Sequence, residues 1–224
     1  MLNARNLDIT FADARGTRTI ALNVPQLDLA GHGLVAVAGP SGCGKSTLLY
    51  TLGGLLQPPQ AEINWNGQDI LKLPPAKRDA WRRANIGFVF QDFRLIPELS
   101  ALDNVTLPLR FEQSRISAAQ TSHARELLTR FNVPLARESV AVLSRGEAQR
   151  VAIARALLHD PPIVMADEPT ASLDAKSAGD VIAALKMLAQ SRLVLCVTHD
   201  RDLIAVADQV LTLEHGRLAE GPEA

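Results

Sequence analysis

Residues 39 to 47 read Gly39-Pro40-Ser41-Gly42-Cys43-Gly44-Lys45-Ser46-Thr47, directly after the apolar run Leu34-Val-Ala-Val-Ala38 and directly before Leu48-Leu49-Tyr50. The spacing is G-x-x-x-x-G-K-S, in which a strand passes through a glycine-rich turn into a helix. Successive backbone N–H groups and the helix N-terminus then face one anion, and a phosphate chain fits there. The glycines at 39, 42 and 44 permit the tight curve and the close approach. Lys45 supplies a compact positive charge to the terminal phosphates, and Ser46 supplies an oxygen for Mg²⁺. Because the strand and the helix patterns are both present, the stretch reads as a phosphate loop rather than a glycine-rich surface turn.

The composition bounds what surrounds this loop. With 224 residues the chain is long enough for one large core, or for a core with a small inserted subdomain, and too short for two full nucleotide-binding domains, so one site per chain is expected. The balance of 23 Lys+Arg against 24 Asp+Glu gives no generally basic surface, and no nucleic-acid partner is expected. No apolar run approaches the roughly 20 residues that span a bilayer. Met1-Leu-Asn-Ala-Arg5 reads as neither a signal nor a transit peptide, so a soluble chain that stays inside the cell is expected. Cys43 and Cys196 have neither metal-ligand company nor the look of a disulfide framework, which suits a reducing cytosol. Hydrophobic residues at 47% with aromatics at only 4% favour an Ala/Leu/Val-rich α/β core over an all-β sandwich.

Patterning along the chain predicts the organisation. Leu7–Phe11, Ile20–Val24 and Leu27–Leu29 alternate apolar and polar residues as half-buried antiparallel strands do, and Glu62–Trp65 resumes that pattern before an Asn66-Gly67 turn. Ile86–Phe90, Ile163–Ala166 and Leu193–Val197 are short continuous apolar runs, the form taken by parallel strands buried on both faces. From Gln91 to about Ser139 the chain is polar and helical, with Ser117–Phe131 amphipathic and prolines at 97, 108 and 134 as punctuation. The expectation is a single domain over residues 1–224: an α/β core with an antiparallel β-subdomain from 1–90 and 140–224, and a helical subdomain inserted at about 92–139. Val210–Leu213 and Arg217-Leu218 predict a closing hairpin, with a short tail beyond Gly221.

Further chemistry falls at the ends of the buried runs. Asp167-Glu168 follows Ile163–Ala166 at the strand edge where ligands bind in open α/β sheets. Asp167 is expected in the Mg²⁺ shell and Glu168 as the group that polarises an attacking water, since phosphoryl transfer needs both spread charge and an oriented nucleophile. His199 ends the next run in Val197-Thr-His-Asp200 and is expected to hold a γ-phosphate oxygen, the water or Glu168. Gln91 closes the run Gly87–Phe90 and can reach Mg²⁺ or water through its amide oxygen.

In this order the motifs resemble the nucleotide-binding subunit of ATP-binding cassette (ABC) transporters over nearly the whole chain. Gly39–Thr47 is similar to the Walker A motif, Gln91 to the Q-loop, Leu143-Ser-Arg-Gly-Glu147 to the signature, Ile163–Glu168 to Walker B, Ala171-Ser-Leu-Asp174 to the D-loop and His199 to the H-loop. The resemblance implies that Phe11 is the aromatic that stacks on adenine. It also implies a head-to-tail homodimer in which Ser144, Arg145, Gly146 and Glu147 of one chain complete the ATP site of the other, with Asp174 near the seam. The signature carries Arg145 and Glu147 where the commonest family form has Gly and Gln. Ser144-Arg-Gly-Glu147 is an S-x-x-E capping box, so position 145 takes ordinary helical dihedrals and the two added charges are expected to offset one another. Within the loop, the backbone of Cys43 is expected to bind phosphate while its thiol, at a helix N-terminus, is expected to be open to maleimide and shielded by MgATP.

Arg82–Gln91, Leu95-Ile-Pro97 and Leu102–Pro108 are similar to the branch that serves lipoprotein release, macrolide-type efflux and the cell-division cassette. That resemblance implies an integral membrane permease as partner, with the chain peripheral on the inner face of the cell membrane. Phe93, Leu95, Ile96 and Leu99 are expected either to line a groove for a short permease helix or to face the subdomain's own core. An ATPase energising a permease is the leading reading. A soluble cassette ATPase acting on DNA or ribosomes and an ATP-switched scaffold are the alternatives.

Overall fold

The computed structural model describes residues 1–12, 18–136 and 138–219; the expected tail beyond Gly221 lies outside the described residues. From the N-terminus, β1 (Leu2–Ala12) and β2 (Arg18–Leu29) form an antiparallel pair, and β3 (Gly33–Ala38) leads through the glycine-rich loop into α1 (Lys45–Leu52). The hairpin β4 (Glu62–Trp65) and β5 (Gln68–Asp69) turns at Asn66 and Gly67, both with positive φ, as the Asn-Gly pair predicts. Then follow α2 (Pro75–Asn85), β6 (Ile86–Val89), α3 (Ala101–Arg110), α4 (Ala118–Arg130) and α5 (Arg145–Ala156). The chain ends with β7 (Ile163–Asp167), α6 (Ala175–Ala189), β8 (Leu193–Val197), α7 (Arg201–Ala205) and the hairpin β9 (Gln209–Glu214) and β10 (Arg217–Leu218).

The described strands make two sheets, a four-stranded one in the order β2-β1-β4-β5 and a six-stranded one in the order β10-β9-β3-β8-β7-β6. In the second sheet β9, β3, β8, β7 and β6 are mutually parallel, as the continuous apolar runs require. Side-chain alternation along these strands feeds two cores. Leu34, Ala36, Val164, Ala166, Val194 and Cys196 join the buried faces of α3 to α6. Val35, Val37, Ile163, Met165, Leu193, Leu195 and Val197 join Leu48, Leu49 and Leu52 of α1 and the inner face of the four-stranded sheet. Helix α1 is therefore enclosed between the sheets.

Pairing of Val37 with Val197, and of Val197 with Asp167, aligns the C-terminal ends of β3, β8 and β7. Everything that follows these strands by one or two residues meets at one edge, which collects the glycine-rich loop, Glu168 and His199.

Local details depart from the sequence reading in two places. Strand β2 runs on through Pro25, where two shorter strands are expected; it is an edge strand, and a residue without an N–H is tolerated there. Pro108 does not punctuate but lies inside α3 near its end, where the helix can close without the missing donor. The helix starts follow their capping residues: Ser117 with Gln120 for α4, Ser144 with Glu147 for α5, and Asp174 for α6. Helices α3, α4 and α5 pack on one another, so the helical layer includes the helix that opens at Ser144. Leu128 is fully buried at the centre of that layer. Leu128→Ala should lower unfolding stability by about 3 kcal/mol in a urea titration, through lost burial plus the cavity left behind.

Candidate functional site

The glycine-rich loop is held by close backbone approach. Gly44 has φ +105, and a Cβ there would lie 2.1 Å from the carbonyl oxygen of Ala21, so no other residue fits. Lys45 is only 7% exposed. Its ammonium donates to the carbonyls of Gly39 at 2.9 Å and Pro40 at 3.0 Å and lies 3.8 Å from Glu168 Oε1. One position on, Ser46 Oγ donates to Asp167 Oδ1 at 2.9 Å, and the other oxygen of that 2% exposed carboxylate accepts from Tyr50 Oη at 2.6 Å. Ser46 and Tyr50 are one helical turn apart and so share a face. Burial, and next the bond to Asp167, push the Tyr50 phenol well above its ordinary range and keep it a donor.

Glu168 takes a left-handed backbone conformation at φ 47, with its N–H on the carbonyl of Val197 at 2.9 Å. That turn brings its carboxylate between two partners: Oε1 faces Lys45, while Oε2 lies 2.9 Å from His199 Nδ1 and accepts the His199 backbone N–H at 3.3 Å. Asp200 caps the short helix α7 behind His199. Its carboxyl sits below the usual range; burial opposes this, and bonds from the Thr170 side chain and the α7 backbone outweigh it.

A cleft of about 720 Å³ joins these groups. Phe11, Thr19, Ile20 and Ala21 line it together with Gly39, Pro40, Ser41, Gly42, Gly44, Lys45, Ser46 and Thr47, and Gln91, Glu168 and His199 complete it. Phe11 is 51% exposed, available for a flat ring. Cys43 departs from expectation: its thiol is buried in the core beside α1, close behind Gly39, and its N–H makes a turn bond to Pro40 at 3.4 Å. That burial disfavours direct maleimide attack on the folded chain.

The signature residues and Asp174 do not line this cleft. Ser144 and Glu147 form the reciprocal capping box, Ser144 N–H to Glu147 Oε2 at 2.7 Å and Glu147 N–H to Ser144 Oγ at 3.2 Å. Arg145 opens α5 as expected, with its guanidinium 5.4 Å from the centre of the Phe93 ring rather than loose at a solvated helix start. A Cβ on Gly146 would lie 2.5 Å from Ser177 Oγ, and Ser177 is the residue whose N–H and hydroxyl bond Asp174. Those bonds, backbone first, hold the Asp174 carboxyl below its ordinary range.

The segment after Gln91 separates the two expected placements. Phe93 and Arg94 both have positive φ, at 58 and 47, and Arg155 of α5 donates to both of their carbonyls. This twist sends Phe93 and Leu95 against the helical core, while Arg94 lies 4.1 Å over the Phe90 ring. A groove of about 410 Å³ does open beside it, but its apolar walls are Leu55, Phe88, Phe90, Leu107, Pro108 and Phe111; Phe93, Leu95, Ile96 and Leu99 are not among its lining residues. Sequence reasoning passed over Tyr50 and Arg155. Tyr50 carries a signal, a hydroxyl four positions after Ser46 in an apolar helix, whereas the partners of Arg155 follow only from the twist at Phe93.

Residues 22–171 match the ABC transporter family. The chain belongs to that family. This cassette is 43% identical over 223 residues to the lipoprotein-releasing system ATP-binding protein LolD of Chromohalobacter salexigens, covering 98% of the chain and 93% of that protein. It is 40% identical over 214 residues to the uncharacterized ABC transporter ATP-binding protein Rv0073 of Mycobacterium tuberculosis, covering 95% of the chain but spanning 64% of that relative's length. Among solved structures it matches the dimeric bacterial ABC transporter cassette MJ0796 with a TM-score of 0.89 at 36% identity, covering 98% of this chain and 97% of that one. A dimeric post-hydrolysis state of MJ0796 bound to ADP and Pi matches at 0.88 with 35% identity. The expected α/β architecture, a phosphate-loop core with a parallel sheet, an antiparallel β-layer and a helical layer, is therefore that of the ABC ATPase cassette.

Both cysteines of the cassette are buried, and burial pushes the Cys196 thiol up to about 12. A maleimide or disulfide-exchange assay should find neither thiol labelled within minutes at pH 7.5, with or without MgATP, and both labelled in denaturant. Rapid native labelling of Cys43 that MgATP blocks would restore the original expectation.

Proposed function

We propose that this cassette is the ATP-binding and ATP-hydrolysing subunit of an ABC transporter, acting as a head-to-tail homodimer beneath a separate membrane permease. The observation that carries the reading is the convergence of Lys45, Ser46, Glu168 and His199 on one cleft at one sheet edge, with the buried Asp167 bonded to Ser46 directly behind it. Phe11 stacks on adenine, and the loop from Gly39 to Thr47 wraps the phosphates, with the buried Lys45 ammonium exchanging loop carbonyls for phosphate oxygens. Glu168 is the acceptor that orients water in line with the γ-phosphorus. His199 fixes the Glu168 carboxylate and bonds the γ-phosphate.

The donors suit Mg²⁺. Ser46 and Asp167 present hard oxygens side by side, and Gln91 lines the same cleft. Among the described residues no group of three His, Cys, Asp or Glu could hold a metal, which fits an ion that uses few protein ligands and completes its shell with phosphate and water. When bound, Mg²⁺ spreads the charge of the β- and γ-phosphates.

Ser144, Arg145, Gly146 and Glu147 act on the partner's nucleotide, and Asp174, packed to Gly146 through Ser177, lies at the seam. The dimeric MJ0796 structures support this arrangement. Residues from about 92 to 139 serve as the helical subdomain that carries the signature toward the partner. No helix among the described residues is long and apolar enough to cross a membrane, so contact with a permease has to be made at a surface. The groove between Phe88, Phe90, Leu107 and Phe111 suits a short apolar permease helix, and Arg82, Arg83, Arg94 and Arg155 on its walls favour one with acidic ends.

Glu168→Gln should abolish phosphate release, by about a thousandfold or more, while ATP binding persists and a stable dimer is seen by light scattering. Unchanged phosphate release would overturn the hydrolytic assignment. Arg145→Gly and Glu147→Gln should each change turnover in the assembled complex by less than about tenfold, since Gln serves the capping box as Glu does and the backbone N–H at 145 is unchanged. A larger rise in either variant defeats the idea that the two charges offset one another.

A further inference from the structure

Tyr50 is the only tyrosine of the chain, and it touches two places with different tasks. Its hydroxyl donates at 2.6 Å to Asp167 Oδ2, while Ser46 Oγ donates at 2.9 Å to Asp167 Oδ1. Asp167 is almost fully buried, so these two hydroxyls, rather than bulk water, decide which way its carboxylate plane faces. A short O–H···O⁻ bond of this kind is among the stronger polar contacts a protein makes, and it locks a rotamer as well as stabilising a charge.

The ring of Tyr50 faces elsewhere. It meets Phe90 with centroids 6.2 Å apart and planes inclined at 49°. Phe90 in turn stacks on Phe88 at 5.5 Å and carries the Arg94 guanidinium on its face at 4.1 Å. Phe88, Phe90 and Arg94 are walls of the apolar groove, and Phe90 directly precedes Gln91 in the nucleotide cleft. One side chain thus contacts both the carboxylate that Ser46 of the cleft bonds and the wall of the groove.

We propose that Tyr50 is a positioning residue. Its hydroxyl holds Asp167 in the orientation that shares Oδ1 with Ser46, the pair that would take Mg²⁺, and its ring passes a displacement of Phe90, and so of the groove wall, to that carboxylate. The inference rests on reading the cleft as a site for ATP with Mg²⁺. Coupling through packed side chains demands a double-mutant test, because contact alone does not establish it.

The experiment uses the full chain and a fluorescent, non-hydrolysable ATP analogue, titrated with Mg²⁺ and, separately, bound in EDTA. Tyr50→Phe keeps the ring and removes the hydroxyl; it should raise the half-saturating Mg²⁺ about tenfold and leave affinity in EDTA unchanged. Phe90→Leu should raise the half-saturating Mg²⁺ about threefold in the Tyr50 chain and have no effect in the Tyr50→Phe chain, since the hydroxyl through which it acts is gone. An unchanged Mg²⁺ dependence in Tyr50→Phe, or an equal loss of affinity in EDTA, overturns the positioning role. A Phe90→Leu shift of equal size in both backgrounds overturns the relay. A wild-type chain that binds no analogue in either condition overturns the nucleotide reading of the cleft and this proposal together.

Discussion

The enclosure of α1 between two sheets is the constraint from which the rest of the cassette follows. A helix with one wet face can slide or tilt; one whose Leu48, Leu49, Thr51 and Leu52 are all fully buried cannot move without disturbing both layers. Its first turn is therefore a fixed point, and Lys45 and Ser46 inherit that rigidity. The same enclosure explains why the loop before it tolerates so few side chains. Gly44 lies against the backbone of β2 and Gly39 against the carbonyl of Leu213, so the loop is clamped by the antiparallel layer on one side and the closing hairpin on the other. Preorganised donors of this kind bind an anion without the cost of ordering them first.

At the edge of the parallel sheet, two adjacent carboxylates are given different surroundings. Asp167 ends β7 with regular strand geometry and faces the hydroxyls of Ser46 and Tyr50. Glu168 turns through a left-handed conformation and faces a cation and an imidazole. The backbone turn between them separates a group suited to hold a metal from a group suited to orient water, and environment rather than residue type makes the division. Lys45 also depends on this arrangement. A buried ammonium is costly unless its donors are met, and two loop carbonyls and Glu168 meet them.

The architecture was legible in the sequence wherever a single physical rule dominates. Continuous apolar runs predicted parallel strands, Asn66-Gly67 predicted a hairpin, and S-x-x-E predicted the start of α5, because each depends on residues within a few positions of one another. The cleft residues were legible for the related reason that strand ends in a parallel sheet fall on one edge. What the sequence concealed depends on neighbours remote along the chain. The burial of Cys43 goes with its place in the core around α1, the continuation of β2 through Pro25 with its edge position, and the packing of Phe93 on the helical core with Arg155 holding two left-handed residues. An apolar residue after Gln91 reads equally well as groove or core until that twist is known.

Arg155 and Arg145 give the helical layer a consistent logic. Both belong to α5: one, at the helix start, lies over the Phe93 ring, and the other, a few turns on, holds the carbonyls of Phe93 and Arg94. The segment following Gln91 is thus tied along the flank of the helix that begins at Ser144. Gly146 of that helix packs without a side chain against Ser177, which is bonded to Asp174. The chain thus keeps three things in physical contact: the segment after Gln91, the start of α5 and the turn at Asp174. An arginine at position 145, where the commoner family form has glycine, adds a contact to this assembly and removes none, since the capping box leaves its backbone in ordinary helical geometry. The departure from the common signature thus ties the helix start to the segment after Gln91 and leaves the backbone N–H groups of the first turn in place.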